Sequence, residues 1–224
     1  MSVDVVVTAT AFMDLTFIGL ESVPRPGEER FAGDLIHSPG GGAINAIGAA
    51  RLGLKAALSV PLGEDLDGRF IREALEAEGI ALSTCAGTRT PTTVVMPWGG
   101  ERAMVTYEPL ASTSAAEVAG FEPRAVIVAL EVARRMGGDL VRVPGFEMET
   151  VDTTGAGDLL CAAFVWADLS GADLELALRW AVLYGSLSVT VPTGAAGAVT
   201  LERLLEEGSA RGLPPLATHK ETPA

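Results

Sequence analysis

A short run of small and acidic residues near position 155 has the composition of an anion-binding loop with a base beside it. Gly155, Ala156 and Gly157 precede a helical pattern, and their lack of bulk lets several backbone N–H groups converge on one point. The N-terminus of a helix adds a partial positive charge there. Asp158 follows directly, where a carboxylate can take a proton from an attacking hydroxyl group. These residues predict a site for phosphoryl transfer.

The longer run from Asp152 to Asp158, DTTGAGD, indicates a more specific class of phosphoryl-transfer protein. A lone GxGD segment more often forms a tight turn followed by a helix cap. The full run, however, resembles the C-terminal signature of the ribokinase (PfkB) family of ATP-dependent sugar kinases residue for residue. That resemblance implies that Asp158 is the general base and that residues 155–157 form the anion hole.

The same resemblance implies the cofactors. Thr154, Gly155 and Gly157 are expected to contact ATP, which the family uses with Mg²⁺. Family members often bind a monovalent cation such as K⁺ beside this loop, and Asp152 and the carbonyl group of Thr154 are its candidate ligands. A dinucleotide-binding oxidoreductase is the less favoured class, because no GxGxxG follows the first predicted strand.

The N-terminal half contains residues suited to holding a sugar. A glycine-rich segment and an asparagine at a predicted helix start resemble the first signature of the family, and an aspartate after the first predicted strand matches its sugar-binding aspartate. Short polar side chains and bare backbone at a strand end can hydrogen-bond a polyol. The predicted substrate-binding residues are Asp14, Gly40, Gly41, Gly42 and Asn45.

The spacing after this glycine segment leaves the asparagine assignment open. Arg51-Leu52-Gly53 arrives one residue earlier than the family pattern requires. Either the helix is one residue short and Asn45 is the ligand, or Ile44 occupies the position of the asparagine.

Apolar runs and helical patterns alternate along most of the chain. Val3 to Thr10 and Ala56 to Val60 are apolar on both faces, which is typical of buried parallel strands. Helical patterns follow them and continue after Asp158. We therefore predict one α/β domain over residues 1–224, a Rossmann-like, ribokinase-like three-layer α/β/α sandwich with a mostly parallel central sheet.

Two segments, at about 15–38 and 92–107, interrupt this alternation. The first is rich in turn residues, and the second has two strand patterns around a Gly-Gly turn, a strong hairpin signal. They predict a small antiparallel β-lid, which in the family covers the sugar. Its exposed edges would favour pairing between two copies, so we expect a homodimer through the lid.

The chain departs from the family in its middle. Family members are longer and carry further βα units there, with an N-x-x-E motif for Mg²⁺ and phosphate and a loop that lines the nucleotide site. Only residues 131–140 occupy this interval, fewer than one crossover needs, and no N-x-x-E is present. Either internal residues have been lost from this sequence, or the protein is a natural variant without a full ATP site. The intact mass would distinguish the two.

Composition limits the partners. The 224 residues carry 29 acidic and 16 basic side chains, a net charge of −13, which disfavours nucleic acid and anionic membranes. The N-terminus lacks a signal-peptide pattern, so a cytoplasmic protein is expected. Two histidines and two cysteines lack zinc-ligand spacing. The predicted function is ATP-dependent phosphorylation of a sugar, polyol or nucleoside hydroxyl. The alternative is a non-catalytic sugar- or nucleoside-binding protein.

Overall fold

The computed structural model describes residues 2–83, 89–99, 101–109, 118, 120–127 and 143–216. Its central sheet has four strands, all parallel, in the order β5-β4-β1-β8. These strands are β1 (Val3–Val7), β4 (Ala56–Ser59), β5 (Ala81–Ser83) and β8 (Pro123–Ile127). The predicted α/β fold with a parallel sheet is confirmed.

Both faces of the central sheet are covered by apolar side chains. Val5 and Val7 of β1 belong to the large core cluster, whereas Val6, between them, belongs to a second cluster with Ala57. Alternate side chains of a strand point to opposite faces, so β1 is buried on both sides. Burial on both sides explains the three consecutive valines at positions 5–7 of β1.

Six helices surround the sheets in the described part of the chain. The large cluster includes Trp166 and Trp180, which are fully buried and meet edge to face at 5.7 Å between ring centroids. The helices are α1 (Gly42–Arg51), α2 (Leu66–Ala77), α3 (Ala156–Leu169), α4 (Leu174–Ser188), α5 (Gly194–Gly197) and α6 (Leu201–Ala210). None of these helices is long and apolar enough to cross a membrane.

A second sheet, here called the lid sheet, contains the segments that interrupted the α/β alternation. It consists of β2 (Ala11–Ile18), β3 (Asp34–Gly41), β6 (Thr92–Trp98) and β7 (Glu101–Tyr107), in the order β3-β2-β6-β7. The β2–β3 and β6–β7 pairs are antiparallel, but β2 and β6 are parallel. The prediction of an antiparallel lid was therefore wrong in this respect. The long connection from β2 to β6 through α1 and α2 allows the parallel pairing.

Asp14 lies inside β2, in the lid sheet, and not at the end of the first strand, where the sequence predicted it. Ser38 of β3 and Thr93 of β6 are its direct cross-strand partners, and Thr106 of β7 is the partner of Thr93. Directly opposed residues share a face of a sheet, so these four polar side chains form one row across the lid sheet.

The apolar runs Ala125 to Leu130 and Asp139 to Val143 also predict strands. The second run, apart from Val143, and the short middle at 131–140 lie outside the described residues. The first run is described only to Ile127, where β8 ends.

Candidate functional site

The DTTGAGD run forms the turn into α3. Gly155 is the residue before the helix and has a φ of 77°, in the left-handed region that favours glycine. A Cβ atom there would lie 2.7 Å from the Cα of Gly194 and 2.9 Å from the Cδ1 of Ile44. Asp158 lies in the first turn of α3, as predicted. Both the conformation and the packing of this loop therefore require glycine at position 155.

Asp152 holds the loop in shape. Its Oδ1 accepts hydrogen bonds from the backbone N–H of Thr154 at 2.9 Å and from the Thr154 hydroxyl group at 2.7 Å. Its Oδ2 accepts from the N–H of Thr193, just before α5, at 2.9 Å. The buried carboxylate thus ties the loop to α5. The monovalent cation site at Asp152 and the Thr154 carbonyl stays a prediction.

Asn45 and Asp158 meet although 113 positions separate them. The Asn45 Nδ2 donates a hydrogen bond of 2.7 Å to the Asp158 Oδ1. Burial raises the pKa of Asp158 to about 6, against the opposing effect of the Asn45 hydrogen bond. The Asn45 Oδ1 is buried and has no hydrogen-bond partner among the described residues. In this structure Asn45 therefore contacts the candidate base, whereas the neighbouring Ile44 packs against the glycine loop.

Asp14 is the second buried carboxylate of the site. Burial, together with the smaller effects of the charges of Asp158 and Asp152, raises its pKa to about 7. A Cβ atom on Gly40 would lie 2.2 Å from the Asp14 Oδ2. Gly40 thus leaves room for the carboxylate, with Gly41 at the end of β3 and Gly42 at the start of α1. No described residue donates a hydrogen bond to the Asp14 carboxylate, which leaves this group ready to accept one from a ligand.

Replacing Asp14 with asparagine is expected to stabilise the protein at pH 8. The folded-state pKa of about 7 lies above the usual value of 3.8. The unfolded chain therefore loses this proton at lower pH than the folded protein, and the carboxyl group lowers stability as pH rises from about 4 to about 7. Thermal unfolding should show a Tm higher by roughly 10 °C at pH 8. A smaller gain is expected at pH 4.5. An equal gain at both pH values would contradict this account.

One cavity of about 230 Å³ brings these groups together. The lid sheet provides one wall through Asp14 and side chains of β6 and β7, and the turn into α3 provides another through Thr154, Gly155 and Asp158. Its lining residues are Phe12, Asp14, Gly41, Ile44, Thr93, Val95, Arg102, Met104, Thr106, Thr154, Gly155 and Asp158. Of the predicted site residues, Asp14, Gly41, Thr154, Gly155 and Asp158 therefore line one pocket.

A second cavity, of about 440 Å³, borders the next residues of the same loop. Ala156 and Gly157 line it, together with α4 side chains and an irregular segment that includes Phe146 and Met148. A Cβ atom on Gly157 would meet no atom within 4 Å, so this residue faces open space. The glycine loop therefore contributes to two cavities, one next to Asp158 and one next to α4.

Several site residues gave no signal in the sequence. Arg51, at the end of α1, donates from its Nη1 to the carbonyl oxygens of Ala195 at 2.9 Å and Ala198 at 2.7 Å, and pairs with Glu78. It thereby holds α5 next to the glycine loop. Thr93, Arg102 and Thr106 of the lid sheet line the cavity. The sequence predicted the hairpin strands that contain these residues. It did not specify which face of the strands lines the cavity.

Comparison with known proteins assigns a family. The model of the "pfkB family carbohydrate kinase" matches residues 3–129 and 123–200. The two matches meet at residues 123–129, next to the interval where the sequence predicted a shortened middle.

The curated relatives match shorter parts of the chain. Ribokinase of Bacillus subtilis is 46% identical over 71 residues, 32% of this chain and 24% of the relative. The 2-dehydro-3-deoxygalactonokinase of Haloferax volcanii is 34% identical over 116 residues, 49% of this chain and 36% of the relative. Each match thus spans well under two thirds of the relative.

Solved structures share the fold over nearly the whole chain. The ribokinase of Cryptococcus neoformans in complex with ADP superposes with a TM-score of 0.68 at 19% identity, over 92% of this chain and 99% of that one. Ribokinase of Arabidopsis thaliana, complexed with ribose and ATP, has a TM-score of 0.68 at 20% identity with the same coverage. The ribokinase-like fold predicted from the motifs is confirmed.

Proposed function

Because the chain belongs to the PfkB family of carbohydrate kinases, we propose that it transfers a phosphoryl group from ATP to a hydroxyl group of a sugar or related polyol. The observation that carries this proposal is the cavity in which Asp158 and Gly155 face Asp14. A proposed base, a residue of the proposed anion-binding loop and a carboxylate proposed to bind hydroxyl groups line one space. These are the groups that phosphoryl transfer to an alcohol requires.

The proposed reaction begins with an acceptor held between the lid sheet and the loop. The Asp14 carboxylate accepts hydrogen bonds from acceptor hydroxyl groups, and the hydroxyl group that reacts lies against Asp158. As the acceptor oxygen attacks the γ-phosphorus of ATP, Asp158 takes its proton and the bond to the ADP oxygen breaks. The N–H groups of residues 155–157, at the start of α3, stabilise the charge on the transferring group.

Asn45 is proposed to position Asp158 for this step. Its Nδ2 holds the Asp158 Oδ1 at 2.7 Å, which fixes the direction of the carboxylate and opposes the effect of burial on the pKa. With a pKa of about 6, Asp158 is mostly ionised at neutral pH yet more basic than an exposed carboxylate. A base poised close to the working pH is favourable for proton transfer.

The nucleotide is proposed to occupy the larger cavity beside α4. This cavity is lined by Ala156 and Gly157, and Phe146 and Met148 provide apolar surface suited to a planar base. The cavity of about 230 Å³ that contains Asp14 and Asp158 is here called the acceptor cavity. Adjacent residues of one loop would then line the acceptor cavity on one side and contact the nucleotide on the other. This arrangement is what a direct transfer between the two substrates needs.

Mg²⁺ is proposed to arrive with ATP. The described residues include no group of three or more His, Cys, Asp or Glu side chains that could hold a metal ion. Mg²⁺ is commonly held by substrate phosphates and one or two carboxylates, with water completing its shell. The ion would neutralise phosphate charge, and the carboxylates that line the two cavities are Asp158 and Asp14 in the smaller one and Glu147 in the larger one.

The test is a kinase assay on the full chain. Release of ADP should require an acceptor from a panel of sugars, polyols and nucleosides, and mass spectrometry should show one phosphoryl group added to that acceptor. Stabilisation of the protein by a sugar, with no product at saturating Mg-ATP, would contradict the proposal and favour a non-catalytic binding protein. A homodimer through the lid sheet and a cytoplasmic location stay predictions, which sedimentation equilibrium and cell fractionation would check.

A further inference from the structure

The acceptor cavity contains a cation that the proposed reaction does not use. Arg102 of β7 is the one positively charged residue among those that line the cavity, where two carboxylates, Asp14 and Asp158, also lie. A neutral sugar needs no positive charge for its hydroxyl groups. In a chain with a net charge of −13, an arginine directed into a substrate pocket points to a charged feature of the ligand.

The strand register places Arg102 on the inward face of the lid sheet. Arg102, Met104 and Thr106 alternate along β7, and all three line the cavity. Thr106 lies opposite Thr93, which lies opposite Asp14. Arg102 lies opposite Pro97 on β6. Along β7, Arg102 and Thr106 are four residues apart, which corresponds to roughly 13 Å. The inward face of the lid sheet therefore has hydroxyl and carboxylate groups in one row and a guanidinium group further along it.

The Arg102 guanidinium group has a neutral hydroxyl group as its hydrogen-bond partner among the described residues. Its Nη1 donates to the hydroxyl oxygen of Thr153, and it forms no ion pair with a described residue. The side chain is exposed. A bond to a neutral hydroxyl group is readily exchanged for a charge-assisted one, because a bond between guanidinium and carboxylate is roughly twice as strong as a neutral one. The remaining N–H groups are available for a planar anion.

We propose that Arg102 binds an anionic group of the acceptor, and that the acceptor is therefore a sugar acid, a polyol that carries a carboxylate. This inference rests on the proposed function. The hydroxyl groups of the acceptor lie along Asp14, Thr93 and Thr106, and the carboxylate pairs with Arg102 in two parallel hydrogen bonds. The same chemistry would suit a phosphate ester on the acceptor or the γ-phosphate of ATP, and the experiment separates these sources.

The experiment compares matched acceptors with the full-length wild type and Arg102→Gln. The probes are aldoses, the corresponding aldonates and 2-keto-3-deoxyaldonates, and the corresponding sugar phosphates, each of five or six carbons. Binding is measured by calorimetry and turnover by ADP release. Arg69→Gln is the control, because it removes the same charge from an exposed arginine on α2 that does not line the cavity.

We expect the wild type to bind a carboxylate acceptor at least tenfold more tightly than the matched neutral sugar. Arg102→Gln should lower affinity and kcat/KM for that acceptor by roughly 10- to 100-fold, the loss typical of a hydrogen bond to a charged group. It should leave the neutral sugar within about threefold, and Arg69→Gln should behave as wild type with both. General destabilisation of the protein cannot lower both affinity and kcat/KM for the charged acceptor while leaving the neutral acceptor almost unaffected.

Other outcomes overturn the proposal. Preference for a sugar phosphate over the sugar acid would assign Arg102 to a phosphate ester. Equal loss of kcat with charged and neutral acceptors, together with a raised KM for ATP, would assign it to the γ-phosphate. Absence of binding by any acid also overturns it. Acid binding that depends on Arg102, without any phosphorylated product, would contradict the proposed function while leaving the anion site supported.

Discussion

Replacing Asp158 with asparagine is expected to lower kcat by roughly 10²- to 10⁴-fold, with little change in the affinity for the acceptor. Asparagine retains the size of the side chain and can still contact Asn45, but it cannot take a proton from the attacking hydroxyl group. The loss should therefore appear in the chemical step. Steady-state kinetics with saturating Mg-ATP and calorimetric binding of the acceptor measure the two effects separately.

The matched control for this variant is Asp168→Asn. Asp168 lies on the same helix, α3, but is exposed and remote in sequence from the glycine loop. The Asp168→Asn variant should retain wild-type turnover and have a Tm similar to that of the wild type. Undiminished turnover by Asp158→Asn would exclude Asp158 as the base. A loss of acceptor affinity equal to the loss of kcat would instead assign it to substrate binding.

The same mechanism determines the direction of the pH dependence. Asp158 acts as a base only when ionised, and its pKa of about 6 lies above the usual value of 3.8. The kcat/KM of the wild type should therefore fall as pH decreases through about 6. Asp14, with a pKa of about 7, should weaken acceptor binding over the same range if the ionised form accepts hydrogen bonds from the sugar. Loss of the lower limb in Asp158→Asn would link that limb to the base.

Replacing Gly155 with alanine is expected to lower both stability and turnover. The new side chain would have to adopt a φ of 77°, which costs roughly 1–2 kcal/mol, and its Cβ would approach the Cα of Gly194 to 2.7 Å. That energy corresponds to a Tm lower by about 2–8 °C in a chain of this size. Displacement of the loop should lower kcat by roughly 10- to 100-fold. Thermal unfolding and steady-state kinetics measure the two effects.

Gly157→Ala is the structural control for this variant. Gly157 is the second residue of α3, and a Cβ atom there would meet no atom within 4 Å. Because alanine favours helix more than glycine does, the Tm should stay the same or rise slightly. If both substitutions lowered the Tm equally, the close contact between residues 155 and 194 would not be the reason that glycine is required at position 155.

The position of the glycine loop before a helix could be predicted from the sequence because it depends on neighbouring residues. The left-handed conformation of Gly155 and the position of Asp158 in the first helical turn are properties of a few consecutive positions. The N-cap of α2 was predictable for the same reason, since Asp65 accepts a hydrogen bond from the N–H of Gly68, three residues later. Local hydrogen bonds of this kind leave a local signature.

The position of Asp14 was not predictable to the same degree. The run from Val3 to Thr10 and the residues after it form one continuous stretch of strand-like sequence. The chain nevertheless leaves the central sheet after Val7 and enters the lid sheet at Ala11. Which sheet a strand joins depends on its partners, and β2 pairs with β3 and β6, which come later in the chain. Sequence patterns indicate that a strand is present but do not identify its partners.

The amino-acid sequence by itself determined the glycine loop before a helix, the position of the candidate base and the alternation of strands and helices, because each follows from residues close together in the chain. The tertiary structure decided which distant groups meet that loop. The hydrogen bond from Asn45 to Asp158, the raised pKa values of the two aspartates and the inward direction of Arg102 all depend on burial and strand register. Those quantities arise only when segments a hundred residues apart pack together, so no local pattern could specify them.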